Sequence, residues 1–154
     1  MQHLFLTDGC VLLLPCVCCC SVQVGTYQLS LTDTDAAGGI ADPCQGGATM
    51  RGSGTVSFMP NGNYPDDSTC DWHIRCDRGR PQVQFTQLST EADWDFVDVL
   101  DGDSSASPSL AHLSGSLVDL RRTTYSGSGS SLTVEFTSDE SVTDGGFEAD
   151  YSCR

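Results

Sequence analysis

The chemistry available to this chain is carried by carboxylates. Asp and Glu number 21 in 154 residues. Three of them, Glu91, Asp95 and Asp139, sit beside apolar alternating runs rather than in open turn sequence. Should these three converge, their like charges would repel and raise one another's pKa. A hard divalent cation such as Ca2+, which takes roughly six to eight oxygen ligands, would relieve that repulsion. The alternative is a solvated acidic edge. The run Asp93, Asp95, Asp98, Asp101, Asp103 lacks the D-x-D-x-D-G order and closing Glu of an EF-hand. Asp98 reads instead as an outward strand residue and Asp101-Gly102 as a hairpin turn. Asp66, Asp67, Asp144 and Glu148 read as solvated surface groups. No nucleophile elbow, H-E-x-x-H pair or phosphate loop is present. His73 reads as an outward strand residue and His112 as a loop residue, so no enzyme is expected. Trp94, beside the carboxylates, is expected to pack half-buried, with contact to a partner as the alternative.

The elements that must position these groups are strands. Trp72, Ile74 and Cys76 alternate with polar neighbours, as do Val83 and Phe85; Val97 and Val99; Leu132, Val134 and Phe136; and Phe147, Ala149, Tyr151 and Cys153. Thr55 to Phe58 is a further short strand, and Asn61-Gly62 and Tyr64-Pro65-Asp66-Asp67 read as turns. One apolar face per strand predicts an all-β fold, two packed antiparallel sheets in a β-sandwich. In that fold Glu91 ends one strand region, Asp95 opens the next and Asp139 follows a third, so all three lie at strand ends on one edge. The charge balance sets the partners. Seven Arg, no Lys and a net charge of −14 argue against nucleic acid and anionic membrane surfaces, and favour metal ions or basic protein patches.

Nine cysteines indicate an oxidising compartment or metal binding. Cys76 and Cys153 share the phase of their strands' apolar faces, so both point to the core, where they can meet. Cys44 and Cys70 flank the first strand and turn region. We expect the disulfides Cys44–Cys70 and Cys76–Cys153, with metal ligation as the lesser alternative. Residues 1–24 hold an apolar stretch interrupted by Pro15 and no basic residue before Arg51. It reads as a signal peptide, with a truncated reading frame or the tail of an upstream domain as the alternatives, and it is too short for a clear membrane span. The sequence does not pair Cys10, Cys16, Cys18, Cys19 and Cys20. Residues 25–43 read as a linker or a remnant of an upstream domain.

Residues 44–154 resemble a CUB domain, a jelly-roll-like β-sandwich of extracellular proteins. The matching pieces come in order: Cys44 and Cys70; the Pro60 and Tyr64-Pro65 turn; CDWHIRC at 70–76; FTQLSTE at 85–91; DWDFVDVLDG at 93–102; and LTVEFTSDESVTDGGFEADYSC at 132–153. The sequence departs from the family where many members carry a second disulfide. Asp93 and Ser114 occupy those two places, and Cys76 with Cys153 supplies a different bridge. The resemblance implies a calcium site with Glu91, Asp95 and Asp139 as carboxylate ligands and carbonyls of Ser141 or Val142 assisting. It implies an extracellular or secreted module, or the lumenal or ectodomain part of a membrane-anchored protein. Such a module recognises a protein ligand with basic residues, or a carbohydrate. A metal-free structural module, or an accessory domain detached from a secreted protease, is the rival expectation.

Overall fold

The computed structural model describes residues 42–116 and 123–154. Residues 1–41, on which the signal-peptide and linker expectations and the cysteines at 10 to 20 fall, lie outside the described residues. Short alternating runs separated by Gly, Ser and Asp give nine strands among the described residues: β1 (Ala48–Arg51), β2 (Gly54–Phe58), β3 (Thr69–Arg75), β4 (Pro81–Ser89), β5 (Phe96–Leu100), β6 (Ser109–Leu113), β7 (Tyr125–Ser126), β8 (Ser131–Thr137) and β9 (Gly146–Cys153). They form two sheets, of order β1-β3-β8-β5-β6 and β2-β9-β4-β7. Their inner faces hold the core. Trp72, Ile74, Val97, Val99, Leu132, Val134 and Phe136 come from the first sheet, and Val56, Phe58, Val83, Phe85, Phe147 and Ala149 from the second. Rings lock the two layers together: Trp72 meets Phe147 edge-on with centroids 5.2 Å apart, and Phe58 meets Phe136 at 4.8 Å. Pairs of this kind contribute about 0.5–1.5 kcal/mol beyond area burial.

Four features depart from the simple alternating pattern. First, β1 pairs with β3 in parallel, so one strand breaks the antiparallel expectation. Its sequence, ATMR, has no alternation that would announce a strand. Second, the register of β4 against β9 shifts between Phe85 and Gln87. This bulge resets the phase, so Leu88 rather than Gln87 is buried and Thr90 turns inward. Third, a shift between Val99 and Leu100 buries Leu100, which plain alternation places outward. Fourth, Asp101-Gly102 does not close a tight hairpin. The β5–β6 connection runs over residues 101–108, and the Asp101 carboxylate accepts the Ser128 N–H at 2.7 Å. His112, expected in a loop, lies in β6 with its ring stacked on Phe96 at 4.1 Å.

Both disulfides are Cys44–Cys70 and Cys76–Cys153. Their positions are opposed. β3 runs from Thr69, opposite Thr137, to Arg75, opposite Ser131, so Cys70 and Cys76 lie at opposite ends of the sandwich. The end near Thr69 and Thr137 is the one from which the Asp139 loop leaves.

Candidate metal centre

Three strand ends build one acidic edge. Glu91 follows β4, Asp95 precedes β5, and Asp139 leaves β8, whose Thr137 pairs with Phe96. β5 and β8 are neighbours in one sheet and β4 belongs to the other, so both layers contribute to the cluster, and one oxygen from each carboxylate lies within 4.8 Å of the others. Asp95 is fully buried, and both of its oxygens are engaged. Oδ2 accepts from the Tyr64 hydroxyl at 2.5 Å, and Oδ1 accepts the Asp139 N–H at 2.9 Å. Asp139 Oδ1 accepts the Ser141 N–H at 3.0 Å. Glu91 differs. Its Oε2 is buried and has no hydrogen-bond partner among the described residues. Partial burial, then the charges of Asp139 and Asp95, push its pKa above the usual carboxylate range. The ion pairs among the described residues are Arg51–Asp77, Arg75–Asp103 and His112–Asp98, and none of them involves Glu91, Asp95 or Asp139.

The supporting contacts were largely invisible in the sequence. Tyr64, read as turn material, is buried in the core with its ring against Phe136. Its hydroxyl donates to Asp95 and accepts the Glu91 N–H at 2.8 Å, tying two loops to one oxygen. Burial, then the Asp95 hydrogen bond, raises the phenol pKa. Thr90, turned inward by the bulge, donates to the Asp95 carbonyl at 3.0 Å and accepts the Gly115 N–H at 2.8 Å. Hydrogen bonds join the segments around Asp93 and Ser114. Asp93 donates its N–H to Ser114 Oγ at 2.7 Å, and Ser114 Oγ donates to the Glu91 carbonyl at 3.0 Å. These are the two places where cysteines would pair in many CUB domains. An aromatic residue with a polar tip in a proline turn was the one available signal for Tyr64; nothing in sequence marked Thr90.

Ser141 and Val142 follow Asp139 on the same loop. The Val142 side chain is 63% exposed, and its φ of 57° is unusual for a β-branched residue. Trp94 corrects an expectation: it is 64% exposed rather than half-buried. The turn that carries it is held through Asp93 and through Asp95 N–H to the Glu91 carbonyl at 3.2 Å, while Asp95 fills the inward position.

A family model for the CUB domain matches residues 44–151. The chain belongs to the CUB domain family. Among curated relatives, the inactive serine protease PAMR1 of Bos taurus is 32% identical over 92% of this chain and 21% of its own length. Cubilin of Canis lupus familiaris is 31% identical over 81% of this chain and 4% of its own length. This CUB domain chain therefore spans about a fifth or less of these two relatives. Among solved structures, the CUB1-EGF-CUB2 domains of rat MASP-1 align at a TM-score of 0.56, with 25% identity, over 70% of this chain and 42% of that one. The Ca2+-bound MASP-1 CUB2 domain aligns at 0.54, with 21% identity, over 66% of this chain and 92% of that one, which shows the shared sandwich. Among the described residues, no helix is long and apolar enough to cross a membrane.

Proposed function

We propose that this CUB domain is an extracellular recognition module whose acidic edge holds Ca2+ and, so organised, captures a basic side chain of a protein partner. The observation that carries this reading is the convergence of Glu91, Asp95 and Asp139 within 4.8 Å, with Glu91 Oε2 buried and without a partner. A shielded carboxylate oxygen without a hydrogen-bond partner is unfavourable unless a cation meets it. The donors are all hard oxygens, the set that suits Ca2+ rather than a soft metal. Glu91, Asp95 and Asp139 would hold the ion, with carbonyls of Ser141 or Val142 assisting. When bound, the cation would supply positive charge to the three carboxylates, which form no ion pair among the described residues.

The remaining work falls to the protein. Tyr64 fixes Asp95 and the Glu91 backbone, so the carboxylates are set before a ligand arrives. Asp139 restrains its own loop through Ser141. With 21 carboxylates against seven arginines, the surface draws a cationic partner. Carbohydrate is the alternative ligand. The length of the relatives favours a second reading, in which the module is an accessory domain of a longer secreted protein such as a protease; a metal-free structural module is the further alternative.

The test is a calcium titration of the metal-free, oxidised chain, following its thermal midpoint. We expect a saturable rise at about 10⁻⁴ to 10⁻³ M calcium, abolished by Asp139→Ala. The raised Glu91 pKa sets the pH dependence: protons compete with the ion, so the rise weakens as pH falls toward that pKa. A midpoint that stays flat up to several times that concentration leaves the metal-free module standing.

A further inference from the structure

Large apolar side chains exposed among the described residues are Trp94, Leu110 and Val142. Two of the three belong to the loops that build the acidic edge: Trp94 precedes Asp95, and Val142 is the third residue after Asp139. Neither loop is loose. The Trp94 turn is held by Asp93 N–H on Ser114 and Asp95 N–H on Glu91. The Val142 loop is held by Ser141 N–H on Asp139 and by the Asn63 side-chain amide on the Thr143 carbonyl at 3.1 Å. Val142 keeps a φ of 57°, a conformation that a β-branched side chain disfavours. Hydrogen-bonded loops thus display an indole and an isopropyl group to water, one a single residue before Asp95 and the other three residues after Asp139. Preorganised, exposed aromatic groups are what interface anchors are made of.

We propose that Trp94 and Val142 form apolar shoulders that select partner segments carrying apolar side chains next to the cationic one. This rests on the reading of the edge as a surface for basic partners and adds the flanking chemistry that such a partner must have. Charge decides against a second copy of the chain as the occupant, because each copy carries −14. The indole face also serves the cation directly, since an ammonium or guanidinium over a Trp ring is attracted by its quadrupole.

The experiment uses the full oxidised chain in calcium-containing buffer and two immobilised peptides at equal density, one with Lys flanked by Leu and one with Lys flanked by Gly. The Leu-flanked surface is expected to retain the chain roughly fivefold more tightly or better, the effect of an interface anchor. Trp94→Ala removes that preference and leaves both the thermal midpoint and its calcium response unchanged, because the side chain is exposed. Val142→Gly, which accepts the positive φ without strain, reduces the preference. Trp94 emission, separable from that of buried Trp72, moves to the blue on the Leu-flanked peptide. Equal retention of the two peptides, or a preference that survives Trp94→Ala, overturns the proposal. So does Trp94-dependent capture on a mannose- or N-acetylglucosamine-coated surface with no peptide preference. A peptide preference without any calcium response sinks the metal reading alone, and a calcium response without the preference sinks this one alone.

Discussion

Tyr64 shows how much of the acidic edge depends on one hydroxyl. It donates to the fully buried Asp95 and accepts from the Glu91 backbone, so its loss orphans two groups. Tyr64→Phe keeps the ring against Phe136 and removes only the oxygen. A hydrogen bond to a charged group contributes about 1.5–3 kcal/mol. The variant should therefore lose about 2–3 kcal/mol in urea unfolding with chelator present. A loss below about 0.5 kcal/mol, the range of an ordinary surface substitution, would mean that Asp95 does not depend on the phenol. The three carboxylates were legible in the sequence because each abuts an alternating run, and strand ends are where chain turns concentrate. Tyr64 was not, because proline, asparagine and aspartate around it speak for a turn and say nothing of the side chain's burial. Trp94 was misplaced for a related reason. Its neighbour Asp95 takes the inward position, and composition alone assigns that position to the indole.

Across the outer face of the five-stranded sheet, three strands place carboxyl groups in one row. Asp71 on β3 is opposite Glu135 on β8, and Glu135 is opposite Asp98 on β5. Asp98 Oδ1 in turn accepts from Nδ1 of His112 on β6 at 2.8 Å. Like charges directly opposite on neighbouring strands are unfavourable. Burial, followed by the charge and hydrogen bond of Asp71 and the charge of Asp98, raises the pKa of Glu135 above 4.5. The sign follows from linkage. The folded state holds the Glu135 proton more tightly than the unfolded chain, so the row is best tolerated below pH 4.5. Stability is then lost as pH rises through the raised folded value. Glu135→Gln removes the titration. Its thermal midpoint should match the wild type at pH 4 (~ the unfolded glutamate value) and exceed it at pH 7 by about 1–5 °C. A gap that is constant with pH would place the effect in packing rather than in charge. The row itself was hidden from sequence inspection. Alternation showed that each residue faces outward, but only the register puts 71, 135 and 98 on one line, and register depends on pairings between distant segments. The same limit concealed β1, whose four residues are a strand only because β3 is beside them.

The two disulfides lie at opposite ends of the molecule, and the acidic edge lies at one of them. Cys44–Cys70 lies at the end of β3 nearest the Asp139 loop, while Cys76–Cys153 ties the far end of β3 to the last residue of β9. β4 has the same polarity, with Pro81 opposite Cys153 and Ser89, just before the Glu91 loop, opposite Gly146. The longer bridge closes a loop with a separation of 77 residues, for which chain entropy gives about 4.5 kcal/mol. Its removal acts mainly by enlarging the unfolded ensemble, and the carboxylates sit a full strand length away. The double variant Cys76→Ser/Cys153→Ser should therefore lower the unfolding free energy by roughly the 2–5 kcal/mol of a native bridge, and the thermal midpoint with it. While the protein is folded, the calcium concentration that half-saturates it should stay as in the wild type. Cys44→Ser/Cys70→Ser, at the end where the acidic edge lies, should weaken calcium binding as well as stability. Equal damage to calcium binding in both double variants would show that the acidic edge is held by the stability of the whole sandwich and not by the local contacts of Tyr64, Thr90 and Ser114.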